Sequence, residues 1–227
     1  MNRRQLFFAF LVAVVLTVLG IFVLDQPIAA LVQRLDGRKS IVLQEGTHWL
    51  EIAGGLTIAP YFLNYVLLGL GALLLLLRPA RALGWIVLFV GSTQLVTRLT
   101  VGTLKNVFHR LRPFEVIQAG NWDWKFFGEH GSSFPSGHSA FFWGLFFPLA
   151  FLFPRYRLPL LIIPIFISVA RIGVNDHWFS DVVASAGLAA LITLAFTWIF
   201  RLQTIPPAVS SNPDAIDEPA RPDNNNP

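Results

Sequence analysis

Seven ionisable side chains stand in or beside apolar runs of a chain that is otherwise poor in charge: Arg98, Lys105, Arg112, His138, Arg171, His177 and Asp181. A charge near membrane depth costs several kcal/mol, so each is a functional suspect by default. His177 and Asp181 are four residues apart in HWFSD, one helical turn on the same side. The carboxylate can then accept a hydrogen bond from one imidazole nitrogen. That bond fixes the tautomer, leaves the other nitrogen a bare nucleophile or base, and stabilises the cation that forms on attack. Lys105 and Arg112 are seven apart in KNVFHRLRP, about 10 Å of helical rise, and share a face if the helix continues until Pro113 ends it. Arg171 lies six before His177, within reach of a short turn. Arg98 lies one heptad before Lys105, about 10 Å deeper on the same face, and reads as a structural partner of a buried polar group.

The stretch FPSGHSAFFWG opens an apolar run with polar residues. Pro135 and Ser136 mark a helix start, with Ser136 as cap and Gly137 allowing close approach of a ligand to the backbone. A helix N-terminus offers free N–H groups and a positive dipole end. Combined with Lys105, Arg112 and Arg171 it forms a site for a multiply charged anion, and phosphate fits best. His138 and His177 can divide the breaking of a phosphate ester. Taken singly, each piece has a plainer reading: a capped helix with a buried histidine, snorkelling interfacial cations, a polar clamp between helices. Their fall at one membrane face favours the site.

That face follows from the elements. Of 227 residues, 54% are hydrophobic and 13% charged, about half the charge usual for a soluble domain. Six apolar runs are predicted to span: Gln5 to Leu24, Tyr61 to Leu77, Leu83 to about Leu104, Ser139 to Phe153, Leu158 to Val174 and Val182 to Phe200. The fourth is short and must borrow length from the polar residues before it. The fold class expected is all-α, an integral membrane bundle of six transmembrane helices. Leu24 to Pro27 offers no small-residue cleavage site, so the first run reads as a retained anchor. Arg3 and Arg4, Arg78 and Arg81, Arg155 and Arg157, and Arg201 fall at alternate span ends, which makes those ends and both termini cytoplasmic. The connections 25 to 60, about 105 to 138 and 175 to 181 then face outward. A short surface helix is expected over Pro27 to Leu35. Trp122, Trp124, Phe126 and Phe127 suit a headgroup-level belt, or a grip on a lipid. Residues 1–201 form the expected domain. The Pro-, Asn- and Asp-rich residues 202–227 are expected to be a disordered cytoplasmic tail. Cysteine is absent, which excludes disulfides and thiolate chemistry. Basic residues dispersed in pairs find no nucleic-acid partner.

The motifs resemble those of the type 2 phosphatidic acid phosphatases, whose signature runs K-x6-R-P, P-S-G-H and S-R-x5-H-x3-D. Lys105 to Pro113 is similar to the first, Pro135 to His138 to the second, and Arg171, His177 and Asp181 to the third. Ala170 stands where that family usually has serine, which removes one possible phosphate contact. The resemblance implies that His177 is the nucleophile, forming a phosphohistidine, with Asp181 orienting it. His138 would protonate the leaving oxygen and afterwards activate water. Lys105, Arg112, Arg171, Ser136 and Gly137 would hold the phosphoryl oxygens. No metal or other cofactor is implied, and no carboxylate cluster in the sequence suits magnesium. The implied substrates are lipid phosphates of the outer leaflet: a lipid A phosphate or undecaprenyl diphosphate foremost, phosphatidylglycerol phosphate or phosphatidic acid otherwise. Transfer of phosphate to a second lipid uses the same motifs. A lipid transporter or flippase would use the cations for binding alone. The location expected is a bacterial cytoplasmic membrane, with the site on its periplasmic or outer face.

Overall fold

The computed structural model describes residues 1–120, 122 and 126–202. Trp124, one of the belt aromatics, and nearly all of the tail expected to be disordered lie outside the described residues. Among the described residues the regular structure is all helical. Helix α1 (Arg3–Leu19) starts on Asn2, whose side chain accepts from the N–H of Gln5 while Gln5 reaches back to the Asn2 N–H. A wider, π-type turn over Gly20–Leu24 leads straight into α2 (Asp25–Arg34), so the expected surface helix is a continuation of the first span.

Helix α3 (Ile41–Ala53) was not expected from the sequence. Its apolar residues alternate with Gln44, Glu45, His48 and Glu51, a pattern too mixed to span. The remaining helices are α4 (Phe62–Leu76), α5 (Arg81–Phe108), α6 (Pro113–Gln118), α7 (Gly137–Leu152), α8 (Arg157–Gly173) and α9 (Phe179–Ile199). Four stretches are long and apolar enough to cross a membrane: Arg3–Arg34, Arg78–Gln118, Pro154–Gly173 and Phe179–Ile199. Helices α4 and α7 are apolar but shorter. Helix α7 takes its first turn from Gly137 and His138, the length it was expected to borrow.

One expectation is corrected. Lys105 and Arg112 do not share a helix, because α5 ends at Phe108 and His109 turns the chain with φ 43°. Pro113 does not end a helix but begins α6, where its missing N–H costs nothing.

Helix α9 packs against α1, α5 and α7, while α4 lies on α5 and α8 on α7. Small residues allow these contacts. A Cβ on Gly187 of α9 would stand 2.7 Å from Cβ of Ala13, and one on Gly144 of α7 would stand 3.1 Å from Cβ of Thr97. Phe89, Phe147, Phe151, Leu6 and Ala189 fill the centre, while Val12, Val15, Leu73, Ile162 and Trp198 are exposed on the rim. At one end Arg3 donates to Thr197 Oγ1 at 3.1 Å and Trp85 packs on Phe200 at 6.0 Å. The opposite end collects the C-termini of α5 and α8 and the N-termini of α7 and α9, and with them the suspected chemistry.

Candidate functional site

His177 lies in the connection between α8 and α9, outside the membrane-spanning segments, and is almost fully buried. Its Nδ1 is 3.5 Å from Asp181 Oδ2 and 3.5 Å from Ser133 Oγ. The carboxylate is in turn heavily held. Arg110 Nη1 donates to Asp181 Oδ1 at 2.6 Å, while the Trp178 N–H and the Ser133 hydroxyl donate to Oδ2 at 2.9 and 2.5 Å. Burial pushes the His177 imidazole down to about 4, although Asp181 works in the opposite direction. The ring is therefore neutral at ordinary pH, with Nδ1 turned to the carboxylate and Nε2 left available.

Arg110 and Asp25 escaped the sequence reading. Arg110 is fully buried and bridges two carboxylates, since its Nη2 also donates to Asp25 Oδ2 at 2.7 Å. Asp25 further accepts from the Ser180 N–H at 2.9 Å, tying the junction of α1 and α2 to the first turn of α9. The guanidinium lies over the rings of Phe126 at 4.6 Å and Trp178 at 5.0 Å. Phe126 thus belongs to this packing, with Phe108 and Phe134 at 5.6 and 5.1 Å, whereas Phe127 and Trp122 are exposed. The signal that could have found Asp25 is the one used for the others: an acidic residue at the edge of an apolar run.

Ser136 caps α7, its Oγ accepting from the Ser139 N–H at 3.4 Å. Its backbone N–H bonds the Asp181 carbonyl at 3.1 Å, so the N-terminus of α7 is fastened to α9. Beside it opens a cavity of about 210 Å³ lined by Leu56, Arg98, Lys105, Arg112, Gly137, His138 and His177. The structure thus brings five of the eight expected site residues to one wall, with Asp181 directly behind His177. A Cβ on Gly137 would meet only Lys105 Cε, at 3.8 Å, so the helix start is open to the cavity. Lys105 reaches the Ser132 carbonyl, and Arg98 the Pro60 carbonyl while lying over Tyr61 at 4.8 Å.

Besides Asp181, two expected residues are not on that wall. Ser136 is fully buried in its capping role. Arg171 lines a neighbouring cavity, where it pairs with Asp176, and Asp176 also accepts from Arg38 Nη1 at 3.3 Å. Between the cavities His138 Nε2 meets Glu51 Oε1 at 2.5 Å. The hydrogen bond to His138 holds the Glu51 carboxyl below the usual carboxylate range, against the opposing effect of burial. Glu51 sits on α3, and nothing in the sequence joined it to His138. Among the described residues no group of three or more His, Cys, Asp or Glu side chains comes together as a metal site would require.

The PAP2 superfamily profile matches residues 62–205, and the chain belongs to that superfamily. It is also similar to proteins named lipid A 1-phosphatase. The relative from Rhizobium johnstonii is 32% identical over 133 residues, 55% of this chain and 54% of the relative. That from Rhizobium etli is 32% identical over 127 residues, 52% and 55% respectively. The chain therefore spans about half the length of the curated relatives it matches. No solved structure matches.

Proposed function

We propose that the protein is a membrane lipid phosphatase that works through a phosphohistidine. One observation carries the reading: a neutral, carboxylate-backed His177 stands on one cavity wall with Lys105, Arg112, the open start of α7 and a second histidine. Nε2 of His177 attacks phosphorus, the bond from phosphorus to the lipid oxygen breaks, and His138 gives that oxygen its proton. The imidazolium formed on His177 keeps its Nδ1 proton toward Asp181. Water then attacks the phosphohistidine as His138 takes a proton from it. The P–N bond breaks, and His177 returns to its neutral form with release of phosphate. Lys105, Arg112 and the Gly137 N–H neutralise charge building on the phosphoryl oxygens. Ser136 contributes by holding the helix start, and Arg171 flanks the phosphate from the neighbouring cavity.

The relatives named lipid A 1-phosphatase support lipid A as the first substrate to try, with undecaprenyl diphosphate next. Six spans with both termini cytoplasmic, and a site on the periplasmic face of a bacterial inner membrane, complete the proposal. The test is phosphate release by purified protein from a panel of lipid phosphates, with the lipid products read by mass spectrometry and the enzyme trapped for acid-labile phosphate. Wild type releases phosphate and carries the label; His177→Ala does neither. Undiminished release by His177→Ala would remove the nucleophile from this scheme.

A further inference from the structure

His138 must carry a proton before it can give one to a leaving oxygen, and most of its surroundings oppose that form. Its ring is half-buried, and the cavity it lines also holds Arg98, Lys105 and Arg112, with Arg171 in the space next door. Lost solvation and like charges both work against an imidazolium. The carboxylate of Glu51 works for it, with Oε1 2.5 Å from His138 Nε2. The charge of Asp176 acts in the same direction, although Arg38 and Arg171 are already paired with it. An ionised carboxylate can only accept, so Nε2 is the donor in the contact with Glu51. Nδ1 is then the nitrogen left for the substrate.

Glu51 is held in place for this contact by the docking of α3 on α8. A Cβ on Gly46 would stand 2.5 Å from Cζ of Phe166, and one on Gly173 would stand 2.6 Å from Cδ1 of Leu43. Thr47, one turn before Glu51, is buried. We propose that Glu51 is the positioning residue of the general acid: it keeps the Nε2 proton on His138, stabilises the imidazolium, and leaves Nδ1 to exchange protons with substrate and water. This rests on the phosphatase reading above. As the P–O bond breaks, its electron pair goes to the lipid oxygen, which takes the Nδ1 proton. His138 is left neutral, its Nε2–H still on Glu51. When water attacks the phosphohistidine, Nδ1 takes a proton back and the P–N electron pair returns to His177. Glu51 stays ionised throughout. It precedes residue 62, where the superfamily match begins, so the support for this acid comes from outside the matched core.

The experiment uses the purified full chain in detergent and two esters that share a tail. Hexadecyl phosphate departs as an alkoxide and needs a proton; a nitrophenyl phosphate bearing the same chain departs as a phenolate that is stable without one. The quantity compared is kcat/KM, which reports the steps up to formation of the phosphohistidine, where the acid acts. Glu51→Gln can still accept from Nε2 but carries no charge. It is expected to lower kcat/KM for the alkyl ester about 10²-fold, the scale of general acid catalysis, with a loss on the aryl ester at least about tenfold smaller. Turnover of the aryl ester also reports that the variant is folded. Glu51→Asp, which keeps the charge, is expected to show a smaller difference between the esters than Glu51→Gln. Equal losses on the two esters in both variants would make Glu51 a structural clamp between α3 and α7, and an alkyl ester turned over at the wild-type rate would free His138 of it. Either result overturns the proposal while leaving the phosphatase intact. No phosphate from either ester with the wild type would sink the phosphatase reading and the proposal with it.

Discussion

Asp181 accepts from Arg110, Trp178 and Ser133, and His177 lies 3.5 Å away, so its charge is fixed and cannot wander. In the proposed mechanism its work is to orient the imidazole and to stabilise the imidazolium after attack. Asp181→Asn should therefore lower kcat by about 10²–10⁴-fold, the scale seen when a comparable histidine loses its carboxylate. The pH profile separates this from a merely structural loss. His177 titrates at about 4, and the attacking form is neutral, so the acid limb of kcat/KM comes from this ring and activity falls as pH drops through that value. Asp181 raises that value, so removing its charge moves the acid limb to lower pH. The substrate's own second ionisation, near 6, is common to both proteins and cancels in the comparison. An unmoved or raised acid limb would contradict the pairing. Residues linked within one turn were legible here: His177 with Asp181, and Ser136 as a cap. Arg110 and Asp25 were not, because Arg110 finds its partners 71 and 85 positions away, and only packing brings such groups together. Glu51 and His138 are separated by 87 positions for the same reason.

At the scale of elements, the N-terminus of α7 carries more than its own cap. Ser136 donates its N–H to the Asp181 carbonyl, and Ser185 Oγ donates to the Ser136 carbonyl at 2.9 Å. The start of α7 and the Asp181 turn of α9 are thereby fastened to each other. Ser136→Ala removes a capping oxygen, at a cost of roughly 0.5–2 kcal/mol. A lower thermal midpoint is expected, together with a raised KM for the lipid phosphate, because the free N–H groups lose their set direction. Ser136→Gly keeps a permitted cap residue and loses only a few tenths of a kcal/mol. Thermal melts with Michaelis constants check this, and equal damage by Ala and Gly would point to packing instead of capping. Helix boundaries were readable to within a few residues where apolar runs were long. The segment KNVFHRLRP misled because its composition allows a helix throughout, while the backbone breaks at His109 in a left-handed conformation that composition does not announce. Helix α3 was missed because amphipathic surface helices carry no long apolar run.

For the whole molecule, the two ends of the bundle differ in chemistry, and the proposed topology rests on that difference. Arg3, Arg78, Arg81, Arg155, Arg157 and Arg201 belong to the end away from the cavities, without acidic residues in their short connections. By the bias that keeps Lys and Arg on the cytoplasmic side, the proposal has the cavities open outward. The chain has no cysteine, so single reporters can be introduced against a silent background. Trp122→Cys at the cavity end is expected to react in intact cells with a thiol reagent that cannot cross the inner membrane, and Arg155→Cys only after the cells are opened. Both positions are exposed, so protection at either reports the membrane and not burial. The reverse labelling pattern would invert the bundle and set the site against cytoplasmic lipid. It would also break the physical argument, because six dispersed arginines would then have crossed the membrane while the phosphate-binding cations stayed behind.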